Sequence, residues 1–549
     1  MAGRLNQYNH YLGDPGFLPK DIERYERVTT GSLQSIVRQK LVKNARVVIY
    51  AVPGEKVIED VPKTRQQEAA VSHAQEGTKA AAFAASQAWR NQPPAPGPAP
   101  LLNLPLPKQF KLANGLSVLL VEKHNLPVVS ANLVVLSGSD TNPPDKPGLA
   151  AFTAAMLAEG AKKRTALQIA ADADQIGAGF GTRSTSDSSG AFITCLRQNM
   201  DPAFELLSDV VLNPAFEPKE VERIRKERLT SIAQERDNSR NLALKVFYRA
   251  IYGDKHPYGY TELGTEESLG KIEPRDLENF WAKGYAPSRA ALVIAGDITE
   301  AEGRSLAEKY FGSWKNTAAS DVPPSFNPLS LNPLSKGAGG RRIILVDKPG
   351  APQTSVVVGG VGVARSNPDY VPVEVMNTML GGLFSARLNM NLRERNGYAY
   401  GANSHFLYRR AAGPFYARAD VRTEVTAPAI KEFLNELNGI RTNPLSPDEL
   451  KIAKDSMARS LPGQFETAQQ TARSMGDIFV YSLPLDSFSA LPSEIAGVNS
   501  GGTRQAAEKY IHPDSMVVVA VGDRARIEPE IKKLDLGSVE IRDTEGDPR

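Results

Sequence analysis

Ala291-Leu292-Val293-Ile294-Ala295-Gly296-Asp297 is an unbroken apolar run closed by Gly-Asp, and it returns as Val517-Val518-Val519-Ala520-Val521-Gly522-Asp523. The approach to each run is also repeated. Ile272-Glu273-Pro274-Arg275-Asp276-Leu277 leads through Tyr285 to the first, and Val498 leads through Tyr510-Ile511 to the second, an offset of 226 residues (272 to 498). A helix followed by a buried strand accounts for the pattern. A third copy runs from Val28-Thr29-Thr30-Gly31-Ser32-Leu33 through Leu41 to Val47-Val48-Ile49-Tyr50-Ala51-Val52. In all three, 23 residues separate the first apolar anchor from the late strand position: Val28 to Ala51, Ile272 to Ala295, Val498 to Val521.

A second element repeats at nearly the same offset. Val118-Leu119-Leu120-Val121-Glu122-Lys123, with Pro127 and Ser130, returns as Ile343-Ile344-Leu345-Val346-Asp347-Lys348, with Pro352 and Ser355, a shift of 225 (118 to 343). Two offsets agreeing from opposite ends of a unit indicate a duplicated domain of about 200 residues. Each unit opens with β-branched runs (116–136 and 342–363) and then turns helical, as in the stretch from Pro218 to Leu229. Its counterpart, Pro447–Lys454, has Ser446 as cap and proline at the first helical position. Strand runs and helix runs segregated in this way predict an α+β fold, a largely antiparallel sheet with helices packed on one face.

The copy near residue 28 lacks a front half. We therefore divide the chain into 1–57, the tail of a preceding unit; 58–105, an Ala/Pro-rich linker; 106–322, a first complete unit; 323–340, a linker; 341–535, a second complete unit; and 536–549, a polar tail. A strand and helix without their sheet are weakly held. The expectation is a fragment, a truncated reading frame, or one piece of a larger assembly.

Composition excludes more than it identifies. Lys+Arg 65 against Asp+Glu 62 gives a net charge of +3, no case for nucleic acid or an acidic membrane surface. No apolar run approaches the roughly 18 residues of a membrane span. The single cysteine, Cys195, rules out an intrachain disulfide, and its apolar run Ala191–Leu196 reads as a buried, inert thiol. The histidines (His10, His73, His124, His256, His405, His512) are scattered without metal-ligand spacing, and each reads as a surface or packing residue.

Several local patterns resemble peptidase family M16 (pitrilysin, insulinase, processing peptidase). Phe110-Lys111-Leu112-Ala113-Asn114-Gly115-Leu116 is similar to the family's opening F-x-L-x-N-G-L strand, and Ser137-Gly138-Ser139 to its G-S-R-x-E turn. His256-Pro257-Tyr258-Gly259 followed by Gly264-Thr265-Glu266-Glu267-Ser268 resembles H-P-x-G…G-T-x-E-x-I. Lys283-Gly284-Tyr285-Ala286-Pro287 leading to Gly296-Asp297 resembles the Y-x-P…G-D ending of a unit. The resemblance implies tandem LuxS/processing-peptidase-like metallohydrolase domains, two complete and one partial. It also exposes a departure. The family's inverted zinc motif, H-x-x-E-H on a helix, places two His ligands on one face with a Glu as general base. Here Gly148–Leu157 carries Ala151, Ala154 and Ala155 at those positions, and aligning the later helix puts Ser231 where the family has its third ligand, with Glu227 and Glu235 each four residues away. A methyl group neither holds Zn²⁺ nor takes a proton from water.

The second unit keeps another signature. Leu380-Gly381-Gly382 and Ser385-Ala386-Arg387-Leu388 resemble G-G-x-x-S-x-R-L, and Leu392-Arg393-Glu394-Arg395-Asn396-Gly397-Tyr398-Ala399-Tyr400 resembles L-R-E-K-R-G-x-A-Y. In the family this Arg/Tyr pair reaches across a chamber to hold the substrate backbone and steady the tetrahedral oxyanion. The resemblance thus assigns those roles to Arg393 and Tyr400, both donors suited to a developing negative oxygen. From spacing alone, Arg393 reads better as a surface cation and Tyr400 as a core aromatic.

Long bacterial members carry H-x-x-E-H in the first half and the Arg/Tyr pair in the second, and the order of segments here is similar to that second half. The resemblance therefore implies a non-catalytic, chamber-closing half that binds no cofactor itself. Zinc, water and base would come from a partner M16 half, and the substrate would be an unfolded peptide. It favours a periplasmic or secreted location over a cytoplasmic one. The alternative is a structural subunit with the same fold and no role in proteolysis. An independent enzyme of other chemistry is disfavoured, since no phosphate loop, G-x-S-x-G elbow or Cys/His pairing is present.

Overall fold

The computed structural model describes residues 2–50, 105–315 and 340–549. Contacts divide the chain into two units, Met1–Pro96 and Gly97–Arg549. Ala51 and Val52 of the first repeat copy, and the linkers at 58–104 and 323–339, lie outside the described residues.

The first unit contains helices Ala2–Leu12, Leu18–Glu26 and Thr30–Lys40 and a 3₁₀ turn, Lys43–Ala45. Thr29 caps the third helix through a reciprocal bond with Ser32, as the repeat predicts for a helix start. The strand expected at Val47–Tyr50 does not form. Those residues are exposed, Val47 at 90% and Ile49 at 86%. A β-branched run becomes a strand only when neighbouring strands take up its backbone groups, and none is present among the described residues of this unit.

The larger unit holds two six-stranded sheets. In the first half β1 (Lys108–Lys111), β2 (Ser117–Glu122) and β3 (Val128–Val135) are followed by a small ladder, β4 (Gly160–Ala161) with β5 (Arg164–Thr165). Then come β6 (Gly179–Ser184), β7 (Ser189–Leu196) and β8 (Ala290–Gly296). In the second half are β9 (Arg342–Asp347), β10 (Gln353–Val361), β11 (Ala399–Phe406), β12 (Pro414–Arg422), β13 (Val517–Gly522) and β14 (Ser538–Arg542). The sheet orders are β1-β2-β8-β3-β7-β6 and β11-β12-β10-β13-β9-β14. The repeated apolar runs, β8 and β13, each lie inside their sheet, parallel to β2 or β9 on one side and antiparallel to β3 or β10 on the other. The duplication read from the two offsets is thus a duplication of topology.

The sixth strand breaks the symmetry. In the first sheet it is β1, antiparallel and from the front of the unit; in the second it is β14, parallel to β9 and from the end. Residues 536–549 are therefore not a free polar tail. Ser538–Arg542 adds a strand, and Glu545 beyond it pairs with Lys245 at 2.7 Å. Acidic side chains gave that segment its polar reading, but an edge strand needs only one apolar face.

Alternation explains the rest of the packing. In the first sheet Val118, Leu120, Leu133, Ile193, Leu292 and Ile294 bury against that half's own helices, including Met200–Leu212. The opposite face is covered by a helix of the other half. Leu119, Val121, Ala291, Val293 and Ala295 meet Ala472, Met475 and Ile478 of helix Ala468–Val480. The second sheet receives the reciprocal loan. Ile344, Val346, Val357, Val519 and Val521 meet Leu242, Val246 and Phe247 of helix Ser239–Tyr252. Strands buried on both faces carry continuous apolar runs instead of alternation, which is why the repeated stretches read as they do. Cys195 is buried in β7, and burial pushes its thiol up to about 11.

Between the halves lies a buried ionic cluster. Tyr258 Oη donates to Asp187 Oδ1 at 2.5 Å, the Arg410 amide donates to Asp187 Oδ2 at 3.1 Å, and Arg410 Nη1 donates to Asp140 Oδ2 at 3.1 Å. Arg409 stacks over Tyr258 at 4.3 Å. His256 accepts from the Tyr258 amide at 2.9 Å, and burial with Arg409 nearby pushes it down to about 4, a packing histidine. Burial and then the Asp187 charge raise Asp140 to about 7 despite the Arg410 pair. A carboxyl raised by folding favours the folded chain while it stays protonated. That contribution is complete below pH ~4, the unfolded carboxyl's range, and is lost as pH rises through about 7. Between those limits the parent is expected to lose up to about 4 kcal/mol relative to Asp140→Asn, read as a parent urea midpoint that falls relative to the variant's as pH rises.

Candidate functional site

The Arg393–Tyr400 segment is held by a frame of short irregular helices. Helix Tyr370–Asn377 continues into a π-type turn, Thr378–Gly382, and helix Arg387–Asn389 continues into a second, Met390–Arg395. Such turns are rare and cluster at functional sites. Arg387 anchors the second by a bidentate pair with Glu449, Nε at 2.7 Å and Nη2 at 2.8 Å. Glu449 also closes the capping box of Ser446 at the start of helix Pro447–Ser460, as its sequence predicts. The Arg387 guanidinium holds the Glu449 carboxyl below the usual range. Arg387, part of the family-like signature, is thus committed to structure.

The chain then reverses. Gly397 takes φ +61°, and its amide donates to the Arg393 carbonyl at 3.0 Å, a left-handed helix stop. A register shift between Ala399 and Ala402 in the β11–β12 pairing adds one residue to β11 beside Tyr400. Bulges of this kind re-aim side chains. Tyr400 is 87% exposed, so it is no core aromatic. The Arg393 guanidinium lies 5.0 Å from the Tyr400 ring and 4.6 Å from the Phe384 ring, with Nε 3.2 Å from Glu394. The helix stop and strand return bring the two residues together. Phe384, also exposed, completes a cation held between two aromatic rings. Sequence reasoning missed Phe384; its signal was a large apolar residue directly after Gly381-Gly382-Leu383.

Gly381 lets this frame close. A Cβ there would collide with the Ser404 backbone of β11. Backbone cannot yield as a flexible side chain can, so Gly381→Ala is expected to cost roughly 1–3 kcal/mol, checked as a lowered thermal midpoint.

The positions of the missing zinc motif lie elsewhere. Ala151, Ala154 and Ala155 are on helix Leu149–Met156, whose Phe152 packs with Val221, Ile224 and Ile232 of helix Pro218–Asp237. Two guanidinium groups of that second helix, Arg225 and Arg228, sit 5.8 and 5.5 Å from the Phe152 ring. Ser231 donates its hydroxyl back to the Glu227 carbonyl at 3.0 Å. The Glu227 carboxylate pairs with Arg223 at 2.7 Å, and burial raises the Glu235 carboxyl. Methyl groups, a back-bonded serine and two cations do not fit a divalent metal. Among the described residues no group of three His, Cys, Asp or Glu side chains could hold one. Nor is any described helix long and apolar enough to cross a membrane.

The family model described as insulinase (peptidase family M16) matches residues 117–265, and the one described as peptidase M16 inactive domain matches residues 271–457. A Rickettsia felis protein, named an uncharacterized zinc protease, is 27% identical over 352 residues, covering 64% of this chain and 82% of its own. The similarly named YmxG of Bacillus subtilis is 23% identical over 356 residues, 64% of this chain and 83% of its own. Among solved structures, a peptidase M16 inactive domain from Pseudomonas fluorescens superposes with TM-score 0.69 at 27% identity, over 77% of this chain and 98% of that one. A protease from Helicobacter pylori superposes with TM-score 0.69 at 21% identity, over 76% of this chain and all of that one, a likeness of fold.

Proposed function

The chain belongs to peptidase family M16, and from that premise we propose that it is the non-catalytic, chamber-closing half of a zinc endopeptidase. In this reading Arg393 and Tyr400 bind the backbone of an unfolded peptide and steady the oxyanion formed at a partner half's zinc. One observation carries it: a half-buried Arg and an exposed Tyr are held together by a dedicated frame in a chain whose Ala151, Ala154 and Ala155 carry no ligand atoms. A scaffold subunit has no use for that frame. The P. fluorescens relative, titled an inactive domain, supports the same division of labour.

The first unit fits this reading as the end of a preceding M16-like domain. Its 28–52 segment follows the same pattern as 272–296 and 498–522, whose strands lie inside their sheets.

In the test, the purified chain is mixed with an M16 half bearing H-x-x-E-H, ideally the one encoded nearest to it. No hydrolysis of an unfolded reporter peptide is expected from the chain alone, and zinc-dependent hydrolysis from the mixture. Stoichiometric zinc and cleavage by the isolated chain would sink the proposal. A mixture whose rate is the same with Arg393→Ala as with the parent chain would leave the purely structural subunit as the better reading.

A further inference from the structure

Beside Tyr400 lies a cavity of about 260 Å³, lined in part by Arg240, Asn403, Arg418 and Asp420. Its walls are β10, β11 and β12 of the second sheet and Arg240 from the first turn of the lent helix Ser239–Tyr252. On β12, Tyr416, Arg418 and Asp420 lie on one face; β11 sets His405 and Asn403 opposite the first two, and β10 sets Val357 and Ser355 opposite the last two. Phe247 of helix Ser239–Tyr252 covers Tyr416 edge-on at 6.0 Å. Farther along β12 the same helix reaches the sheet through Arg240, and between these two contacts Arg418 and Asp420 line the cavity.

The charges in this cavity do not cancel. Both oxygens of Asp420 are engaged, Oδ1 by the Ser355 hydroxyl at 2.6 Å and Oδ2 by Arg240, through Nε at 3.0 Å and through Nη2. That pair is neutral. Arg418 donates from Nε to Asn403 Oδ1 at 3.2 Å. Its guanidinium lies 5.9 Å from the Tyr416 ring; among the described residues no carboxylate lies within ion-pair distance of it, and its two Nη nitrogens make no hydrogen bond. The Nε bond to Asn403 holds one side of the guanidinium plane and leaves the forked edge free. A half-buried cation in a walled cavity is poorly compensated. A free guanidinium fork matches the two oxygens of one carboxylate.

We propose that Arg418 is a specificity-determining residue that binds a carboxylate of the peptide held at Arg393 and Tyr400, either an acidic side chain or the free chain end. This inference rests on the peptide-binding reading above. The cavity's size admits a side chain or a terminus, and Tyr400 lines it, so one peptide could engage both.

The test measures fluorescence anisotropy of the full chain with three labelled, unstructured peptides of one composition. One has a central glutamate and an amidated end. The second has glutamine in its place and an amidated end. The third has glutamine and a free C-terminal carboxylate. One or both acidic peptides should bind about tenfold tighter than the neutral one, the gain of one charge-assisted bidentate contact. A preference for the first assigns the contact to a side chain, and for the third to a chain end. Arg418→Gln should abolish the preference while neutral-peptide binding and the thermal midpoint stay unchanged; Arg418→Lys, which keeps charge but not fork, should retain part of it. Equal binding of all three by the parent overturns the proposal, as does a preference that survives Arg418→Gln. Should Arg418→Gln fail to fold, Arg418→Lys decides, and an undiminished preference there overturns the proposal too. In each of these cases, neutral-peptide binding weakened by Tyr400→Phe leaves the peptide-binding reading standing. Failure to bind any of the three removes both.

Discussion

Arg393→Ala is expected to lower the cleavage rate of the chain mixed with its zinc-bearing partner by about 10²–10³, the usual cost of one donor to a developing oxyanion. The loss should fall on kcat more than on KM, because an oxyanion exists only in the transition state. Tyr400→Phe should give a loss of the same kind, since the ring against Arg393 remains and only the hydroxyl goes. The frame predicts the double variant as well. The guanidinium lies 5.0 Å from the Tyr400 ring, so the two act as a unit, and removing both should cost less than the product of the single losses. Phe384→Ala separates position from chemistry. It removes one wall of the cation's cage at 4.6 Å and no donor, so a smaller loss is expected. A loss for Phe384→Ala as large as that for Arg393→Ala, with Tyr400→Phe at the parent rate, would show that the aromatic cage, and not hydrogen-bond donation, carries the effect.

The largest effect on stability is expected from Arg409→Met. Arg409 is buried, with its guanidinium 4.3 Å from the Tyr258 ring and 5.5 and 5.9 Å from those of Tyr248 and Tyr252. Burial opposes its charge, yet the surrounding tyrosines and Asp187 outweigh that and raise its pKa. Methionine fills much of the volume but leaves the buried carboxyl of Asp187, itself raised chiefly by burial, with Arg410 as its remaining nearby cation. The two groups face each other without a direct ion pair, so the loss should reach at most about 3–5 kcal/mol, the cost of breaking a buried pair from one side, while replacing both costs far less. Asp187→Asn in the Arg409→Met background should therefore recover part of the loss, and chemical unfolding of the four proteins closes the cycle. Additive losses would mean that the two groups are not coupled.

What was legible in the sequence follows from how each signal is encoded. β8 and β13 announced themselves because a strand buried on both faces is continuously apolar, so two copies at one offset revealed the duplicated topology. Ser446-Pro447 with Glu449 announced a helix start because capping is decided within four residues. The same local logic failed at Val47–Tyr50, where the run is right and no strand among the described residues pairs with it. It failed again at β14, where charge hid a strand. The helix exchange was out of reach, since nothing near Val519 says that Phe247 will cover its sheet. Arg393 and Tyr400, seven residues apart, could be paired only through family resemblance. Phe384 and Arg418 join them through turns and strand pairing that spacing does not reveal.

The lent helices bear on how the protein is made. The first sheet has its last strand once Gly296 is synthesised, but the helix that covers its second face begins at Ala468. At roughly 5–20 residues per second, a ribosome needs on the order of ten seconds or more to cross that interval. Throughout it, Leu119, Val121 and Val293 face water or whatever shields a nascent chain. The two halves therefore mature together or not at all, and a ribosome stalled between them would release an incomplete, sticky intermediate instead of a finished domain.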